Sequence, residues 1–138
     1  MKEVIRLSSS DRNISKRILV VEDNDVNREL MREILEMSSY EVLMAKDGEE
    51  GVNMAKEHKP DLILMDIQLP KIDGLQATKI IKADDSTGSI PVIALTAYAM
   101  KGDENIFLEA GCCAYIPKPI SVISFLEKIK TYLDTKPE

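Results

Sequence analysis

Short apolar runs alternate with amphipathic segments along most of this chain. The apolar runs predict five buried β-strands, at residues 17–22, 40–45, 62–65, 91–95 and 114–116. After each run, apolar residues recur at helical spacing, which predicts helices at residues 25–37, 47–57, 75–82, 100–110 and 121–134. Five βα units with nearly continuous apolar strands predict an α/β fold, in which helices cover both faces of a parallel sheet.

Local signals support the ends and inner faces of these helices. Asn24 or Asp25 can cap the first helix, Asp47 with Glu50 gives the second a start that resembles a capping box, and Gly111 can end the fourth. In the first helix, the apolar residues at helical spacing are Val26, Leu30, Ile34 and Met37. In the fourth helix, Ile106 and Phe107 are expected to face inward. In the fifth, the expected inner stripe is Val122, Phe125, Leu126, Ile129 and Leu133.

Connection rules narrow the topology of the predicted sheet. Right-handed crossovers favour the flavodoxin-like strand order 2-1-3-4-5, a doubly wound three-layer sandwich. Ligands of such sheets bind at the carboxyl ends of the strands, near the switch between strands 1 and 3. We expect one domain at residues 17–134, preceded by a polar tail or linker at residues 1–16 and followed by a short tail at 135–138.

Composition excludes some classes of function. With 138 residues and a net charge of −6, the chain is long enough for one core and lacks the basic balance that nucleic-acid binding needs. No apolar run approaches the roughly 20 residues that span a bilayer, and the start lacks a signal-peptide core, so we expect a cytoplasmic protein without membrane contact. The adjacent Cys112 and Cys113, with His58 as the only histidine, offer no disulfide framework or zinc set, which favours a packing role for both thiols.

Charged residues follow three of the apolar runs. Glu22 and Asp23 follow the first run, Asp66 the third and Lys118 the fifth, and the predicted sheet brings all four to one edge. Three carboxylates packed together repel one another, so a cation must lie among them or some must be protonated. A divalent metal beside an exposed Asp is what phosphoryl transfer onto that Asp requires.

This constellation predicts a phosphoryl-accepting site. Asp66 would be the nucleophile, and Asp23 and Asp66 would bind Mg²⁺ directly, with Glu22 holding a metal-bound water. The Gln68 backbone carbonyl is placed to complete the metal shell, and its side chain would overhang the phosphoryl group. Lys118 would pair with Asp66 before phosphorylation and bind a phosphoryl oxygen afterwards.

Three further residues are weaker candidates when each is taken alone. Pro119 makes Lys118–Pro119 a candidate cis peptide that turns the lysine inward. The Thr96 hydroxyl, at the end of the fourth strand, can donate to a phosphoryl oxygen, although a β-branched residue closing a strand is equally ordinary. Tyr115 can swing between buried and exposed positions as Thr96 moves, or it is a half-buried aromatic with no such role.

Together these motifs resemble the receiver domain of two-component response regulators. The matching stretches are residues 18–24, 60–70, 73–74, 91–97 and 118–119, and the resemblance covers residue 17 to about 134. It implies a CheY-like fold and a phosphoryl group that comes from a phosphohistidine on a kinase or phosphotransfer protein. Such a domain is a switch that catalyses only its own phosphorylation and slow dephosphorylation, with Mg²⁺ or Mn²⁺ as cofactor.

The family roles carry over residue by residue. The resemblance makes Asp66 the phosphoacceptor, Glu22 and Asp23 the acid pair, Thr96 and Tyr115 the switch residues, and Lys118 the family's site lysine. The first acid is Glu here where many members have Asp, and Pro117 stands where the family often has Ser.

Two subgroups look closest, the stand-alone DivK-like regulators and the C-terminal receivers of hybrid histidine kinases, which relay phosphate to a phosphotransfer protein. The expected partners are a phosphohistidine donor, docking near Val26, Asn27 and Leu30, and a downstream protein. The downstream protein would read the face of the fourth helix, fifth strand and fifth helix, including Tyr98, Met100, Lys101 and Tyr115. The expected state is a monomer or a weak phosphorylation-dependent dimer.

Three alternatives compete with this interpretation. A phosphatase of the haloacid-dehalogenase type would need a second Asp two residues after the nucleophile, where this chain has Gln68. A flavin or nucleotide binder would need a phosphate-cradling loop after the first strand, and that loop is acidic. A degenerate receiver that acts only as an interaction module would be expected to lack part of the site.

Overall fold

Strands and helices alternate through the computed structural model, which describes residues 16–97 and 103–134. The elements are β1 (Arg17–Val21), α1 (Asp25–Met37), β2 (Glu41–Ala45), α2 (Gly48–His58), β3 (Leu62–Asp66), α3 (Gly74–Ala83), β4 (Val92–Thr96), α4 (Asp103–Ala110), β5 (Ala114–Pro117) and α5 (Val122–Asp134). The five predicted strands and helices are all present. The fourth helix was predicted from residue 100, but residues 98–102 lie outside the described part of the chain.

The sheet is parallel and has the predicted order β2-β1-β3-β4-β5. Its register pairs Val21 with Met65 across β1 and β3, and Asp66 with Leu95 across β3 and β4. Because parallel strands end at the same edge, the residues that follow β1, end β3 and end β4 lie side by side there. The predicted α/β class and flavodoxin-like order are therefore confirmed.

Side chains from alternate strand positions form a hydrophobic core on each face of the sheet. On one face Leu19, Ile63 and Met65 pack with residues of α2, α3 and α4. On the other face Ile18 and Leu64 pack with residues of α1 and α5. The sheet is thus the middle layer of a three-layer sandwich.

Helix α1 buries a different stripe from the one that the spacing indicated. Met31 and Leu35 are buried, Ile34 is partly buried, and Val26 and Leu30 are 75% and 50% exposed. Met37, at the end of the stripe, is also exposed. The spacing identified the helix correctly, and the apolar surface of α1 is wider than the strip that the sheet covers.

Two inward assignments were wrong. Ile106 is 49% exposed on α4 and Val122 is 47% exposed at the first turn of α5. Their neighbours behave as predicted, because Phe107, Phe125, Ile129 and Leu133 are buried, and Leu126 packs against the core. A helix that packs on one side of a sheet covers only part of its apolar residues.

The predicted helix-end signals hold. The Asn24 side chain accepts a hydrogen bond from the Asn27 N–H, and the Asp47 side chain accepts one from the Glu50 N–H. Gly111 ends α4 with a φ of 109°, a left-handed conformation that favours glycine.

Among the described residues, none of the helices combines the length and the apolar character that crossing a membrane requires.

The two cysteines lie on opposite faces of the sheet. Cys112 belongs to the core beneath α2, α3 and α4, whereas Cys113 packs against the core beneath α1 and α5. Burial raises the pKa of the Cys112 thiol to about 11. This placement fits the packing role that the sequence predicts.

Cys112 should therefore resist alkylation in the folded protein. At pH 8 its thiol is almost entirely protonated and its sulfur is covered, so iodoacetamide is expected to label it only after unfolding in guanidinium. Mass spectrometry of a Cys113→Ala variant measures this residue alone. Labelling of native Cys112 as fast as a free peptide thiol would contradict the burial.

Candidate functional site

Three carboxylates meet at the carboxyl edge of the sheet. Glu22 follows β1 and Asp66 is the last residue of β3, and one oxygen from each of Glu22, Asp23 and Asp66 lies within 4.8 Å of the others. Glu22 and Asp66 are 1% and 2% exposed, whereas Asp23 is open to solvent. The cluster thus has a buried floor and one accessible ligand.

A single ammonium group lies between the two buried carboxylates. Lys118 Nζ donates to Asp66 Oδ2 at 2.9 Å and to Glu22 Oε1 at 3.0 Å. The Lys118–Pro119 peptide bond is cis. The four charged residues singled out in the sequence therefore lie together.

Burial and charge shift two of these groups. Burial, followed by the charge of Asp66, raises the pKa of the Glu22 carboxyl above its ordinary value, and the contacts with Lys118 only partly oppose this. Burial alone would lower the pKa of Lys118, but its hydrogen bonds and charge interactions with Asp66 and Glu22 outweigh burial and raise it. Within the described cluster, three carboxylates face one lysine, so the set favours a further cation.

The donor set fits a hard divalent cation. Carboxylate oxygens are the ligands that Mg²⁺ prefers, and Mg²⁺ commonly binds one or two carboxylates while keeping several waters. Exposed Asp23 leaves room for those waters, and the buried pair supplies the fixed side of such a site. The residues present therefore suit the metal that the sequence predicts.

The loop after β3 holds the Asp66 carboxylate from the other side. The Gln68 N–H donates to Asp66 Oδ1 at 3.0 Å, and the Gly74 N–H donates to the Ile67 carbonyl at 2.9 Å. Gln68 itself is exposed. The role of its backbone carbonyl as a metal ligand stays a prediction. Asp66 is thus oriented by Lys118 at one oxygen and by a backbone amide at the other.

Gly74 lies against the backbone of the candidate nucleophile. A Cβ at this position would be 2.1 Å from the Asp66 carbonyl oxygen and 2.7 Å from Ile67 Cα. Both neighbours are main chain, so they cannot turn away as a side chain can. The glycine of the Asp73-Gly74 pair is therefore required by space.

Gly74→Ala should lower the free energy of unfolding by roughly 3 kcal/mol, because strand β3 or helix α3 must move to admit the methyl group. Denaturant unfolding measures the loss. Gly88→Ala is the comparison variant: a Cβ there would also meet main chain, but less closely, at 2.9 Å from the Lys82 carbonyl oxygen and 3.0 Å from that of Asp84, so it should lose less. Equal losses in both variants would contradict the special role of Gly74.

Thr96 and Tyr115 occupy different surroundings. Thr96 ends β4, is buried, and its carbonyl accepts a hydrogen bond from the Lys118 N–H at 2.8 Å. Tyr115 is half-buried outside the acid cluster, with its hydroxyl donating to Glu104 at 3.3 Å and its ring centroid 5.5 Å from that of Phe107. Their switch roles stay predictions.

Arg28 is a site neighbour that the sequence analysis missed. Its Nη1 donates to the Glu22 carbonyl at 2.8 Å, and its other terminal nitrogen pairs with Asp25. The three-residue spacing from Asp25 indicates an ion pair on the helix surface. Nothing in that spacing points to the bond with Glu22, which depends on how the chain turns into α1.

Residues 18–130 match the family model of the response regulator receiver domain. The match spans most of the chain, and the fold and acid cluster described above agree with it. The chain therefore belongs to the response regulator receiver domain family, which operates in two-component signalling. This membership favours the receiver over the phosphatase and flavin-binding alternatives.

A curated protein and a solved structure are similar to this chain over most of its length. The chain is 54% identical over 118 residues to the polar-differentiation response regulator DivK of Brucella anthropi, covering 86% of this chain and 96% of that protein. It is 35% identical, with a TM-score of 0.82, to the receiver domain of the sensor histidine kinase PA1611 from Pseudomonas aeruginosa, and the match covers 88% of this chain and 100% of that one. The crystal structure of that domain has a magnesium ion coordinated in the active site cleft.

A third similar structure is a receiver domain that was solved in complex with another protein. The receiver domain of Ssk1 from Saccharomyces cerevisiae, solved with the histidine phosphotransfer protein Ypd1, matches with 31% identity and a TM-score of 0.80, covering 87% of this chain and 90% of that one. Among these three proteins, the Brucella anthropi DivK has the highest identity to this chain.

Proposed function

We propose that this chain is a DivK-like cytoplasmic response regulator in which Asp66 accepts a phosphoryl group from a phosphohistidine. The observation that supports this is the position of the Asp66 carboxylate. It is buried at the end of β3, it contacts Lys118 Nζ at 2.9 Å, and it shares a 4.8 Å cluster with oxygens of Glu22 and Asp23. A carboxylate so placed has a fixed cation on one side and an accessible metal ligand on the other.

The chain's own residues act on the phosphoryl group as follows. An oxygen of Asp66 attacks the phosphorus while the N–P bond to the donor histidine breaks, and the electron pair of that bond stays on the imidazole nitrogen. The Lys118 ammonium moves from the carboxylate to a phosphoryl oxygen, where it offsets the added negative charge. The Thr96 hydroxyl, at the neighbouring strand end, donates to another phosphoryl oxygen.

Asp23 and Asp66 would hold Mg²⁺ or Mn²⁺ directly, with the Gln68 carbonyl as a further ligand and Glu22 acting through a water. When bound, the cation supplies charge neutralisation between the carboxylates and the phosphoryl oxygens. The exposure of Asp23 supports this assignment, because the cation must enter from solvent.

An apolar groove beside the site is the proposed docking place of the phosphohistidine donor. It has a volume of about 440 Å³, opens between α1 and the segment that follows β5, and reaches Glu22 and Lys118. Leu30 and Val122, which the core leaves half-exposed, line it. A helix that presents apolar residues around its histidine would bury this surface and place the imidazole over Asp66.

The face formed by α4, β5 and α5 is the proposed output surface. Tyr115 joins its parts, because its hydroxyl contacts Glu104 on α4 and its carbonyl accepts from Lys128 on α5. When Thr96 moves toward a phosphoryl group, Tyr115 would turn inward and break the contact with Glu104, so that partners meet a changed face. Of the residues predicted for this face, Tyr98, Met100 and Lys101 lie outside the described part of the chain.

The test is phosphorylation of the full chain by acetyl phosphate and by a phosphorylated histidine phosphotransfer protein. With Mg²⁺, mass spectrometry should show one added phosphoryl group on the peptide that contains Asp66, and EDTA should prevent it. The aspartyl phosphate should hydrolyse slowly once the donor is removed. No modification with either donor in the presence of Mg²⁺ would contradict the proposal and favour a receiver that acts only as an interaction module.

A further inference from the structure

The loop that carries the acid pair is fixed by several bonds from the first turns of α1. The Asn24 N–H donates to the Glu22 carboxylate at 3.2 Å, and the Asn24 side chain accepts from the Asn27 N–H at 2.8 Å. Arg28 adds a longer connection, because its guanidinium reaches back to the Glu22 carbonyl at 2.8 Å. Asp23 lies between residues whose backbone or side chain is held in this way.

The guanidinium of Arg28 is well placed to fix this loop. The side chain is 14% exposed, compared with 85% for that of its partner Asp25. Its planar fork donates in two directions, to the carbonyl of Glu22 and to the carboxylate of Asp25. The two acceptors stand on either side of Asp23 and Asn24, so one rigid group spans the turn from β1 into α1.

We propose that Arg28 is a positioning residue for the metal site, holding the Glu22–Asp25 turn so that the Asp23 carboxylate stays within reach of Asp66. This inference rests on the proposed function, because it concerns the same cation. Arg28 itself is not among the groups proposed to bind the metal or the phosphoryl group. It acts through the backbone of Glu22 and the start of α1.

Two physical effects of Arg28 oppose each other, which makes the inference testable. As a positive charge near the acid cluster, Arg28 repels an incoming divalent cation. As a clamp on the turn, it reduces the freedom that Asp23 loses when the cation binds, and partners that orient ligands commonly change metal affinity by about tenfold or more. Removal of the charge alone would strengthen Mg²⁺ binding, whereas removal of the clamp would weaken it.

The experiment titrates the full chain and its variants with Mg²⁺. Binding is measured by isothermal titration calorimetry and by the changes in the amide NMR signals of residues 23–25 and 66–68. Arg28→Met should weaken Mg²⁺ binding about tenfold. Arg28→Lys keeps the charge but replaces the fork with one ammonium group, so it should recover only part of the affinity. Arg32→Met is the matched control, because Arg32 lies one turn further along α1 and pairs with Glu29 and Glu36, and it should bind as the wild type does.

Thermal unfolding in EDTA establishes that each variant is folded before the titration. Arg28→Met that binds Mg²⁺ as tightly as the wild type, or more tightly, would overturn the inference while leaving the proposed function intact. Arg28→Lys with fully restored affinity would also overturn it, because Mg²⁺ binding would then not depend on the guanidinium fork that bonds both Glu22 and Asp25. A wild-type protein that binds no Mg²⁺ would instead overturn the metal site itself, and the inference with it.

Discussion

Replacement of Asp66 by asparagine is expected to abolish phosphorylation of the chain. The neutral amide oxygen of asparagine is too weak a nucleophile to attack phosphorus, so this side chain cannot form an acyl phosphate. The amide has nearly the same shape as the carboxylate, so its oxygen can still accept a hydrogen bond from either Lys118 or the Gln68 N–H. The variant therefore removes the reaction while changing the packing little.

Intact mass spectrometry after incubation with acetyl phosphate and Mg²⁺ measures the loss. Asp61→Asn is the matched control, since Asp61 precedes the same strand at its opposite end and accepts a hydrogen bond from the Arg17 N–H at 2.8 Å. This control should be modified like the wild type. An Asp66→Asn protein that still gains a phosphoryl group at the wild-type rate would mean that another residue is the acceptor.

Lys118→Met is expected to reduce the rate of phosphorylation by about 10²–10³-fold. In the proposed reaction the ammonium group offsets the phosphoryl charge, and removal of one such preorganised group typically costs this much in rate. Methionine has a similar length and no charge, so the groove beside the site keeps its shape. Initial rates with acetyl phosphate at saturating Mg²⁺ measure the effect.

The same substitution should destabilise the protein when no metal is added. Glu22 and Asp66 are almost fully buried and would then lose the cation between them, which is expected to cost roughly 3 kcal/mol in the free energy of unfolding. Mg²⁺ should restore part of this loss, because it binds the same carboxylates. Lys128→Met, which removes an exposed lysine on α5, should change neither quantity appreciably, and equal effects in the two variants would contradict the assignment.

The fold was predictable because buried parallel strands leave a strong signal. The run 62–65 is apolar at every position, and the structure buries all of β3 on both faces of the sheet. Once the strand order is fixed, the carboxyl ends of the strands must adjoin. For this reason the proximity of Asp66, Glu22, Asp23 and Lys118 also followed from the sequence, although the residues are far apart along the chain.

The details that failed depend on tertiary packing. Helical spacing shows that α1 is amphipathic, but only the sheet decides that Met31 and Leu35 are covered and Leu30 is not. The same reason explains the exposure of Ile106 and Val122. The bond from Arg28 to the Glu22 carbonyl has no sequence signal, because backbone acceptors look alike at every residue.

Lys118 connects three strands through two different groups of one residue. Its main-chain N–H binds the carbonyl of Thr96 at the end of β4, while its side chain binds Asp66 at the end of β3 and Glu22 just beyond β1. Lys118 therefore links the Asp66 carboxylate directly to the backbone of β4. In the proposed reaction, a change of charge at Asp66 would therefore act directly on a residue whose main chain already binds β4.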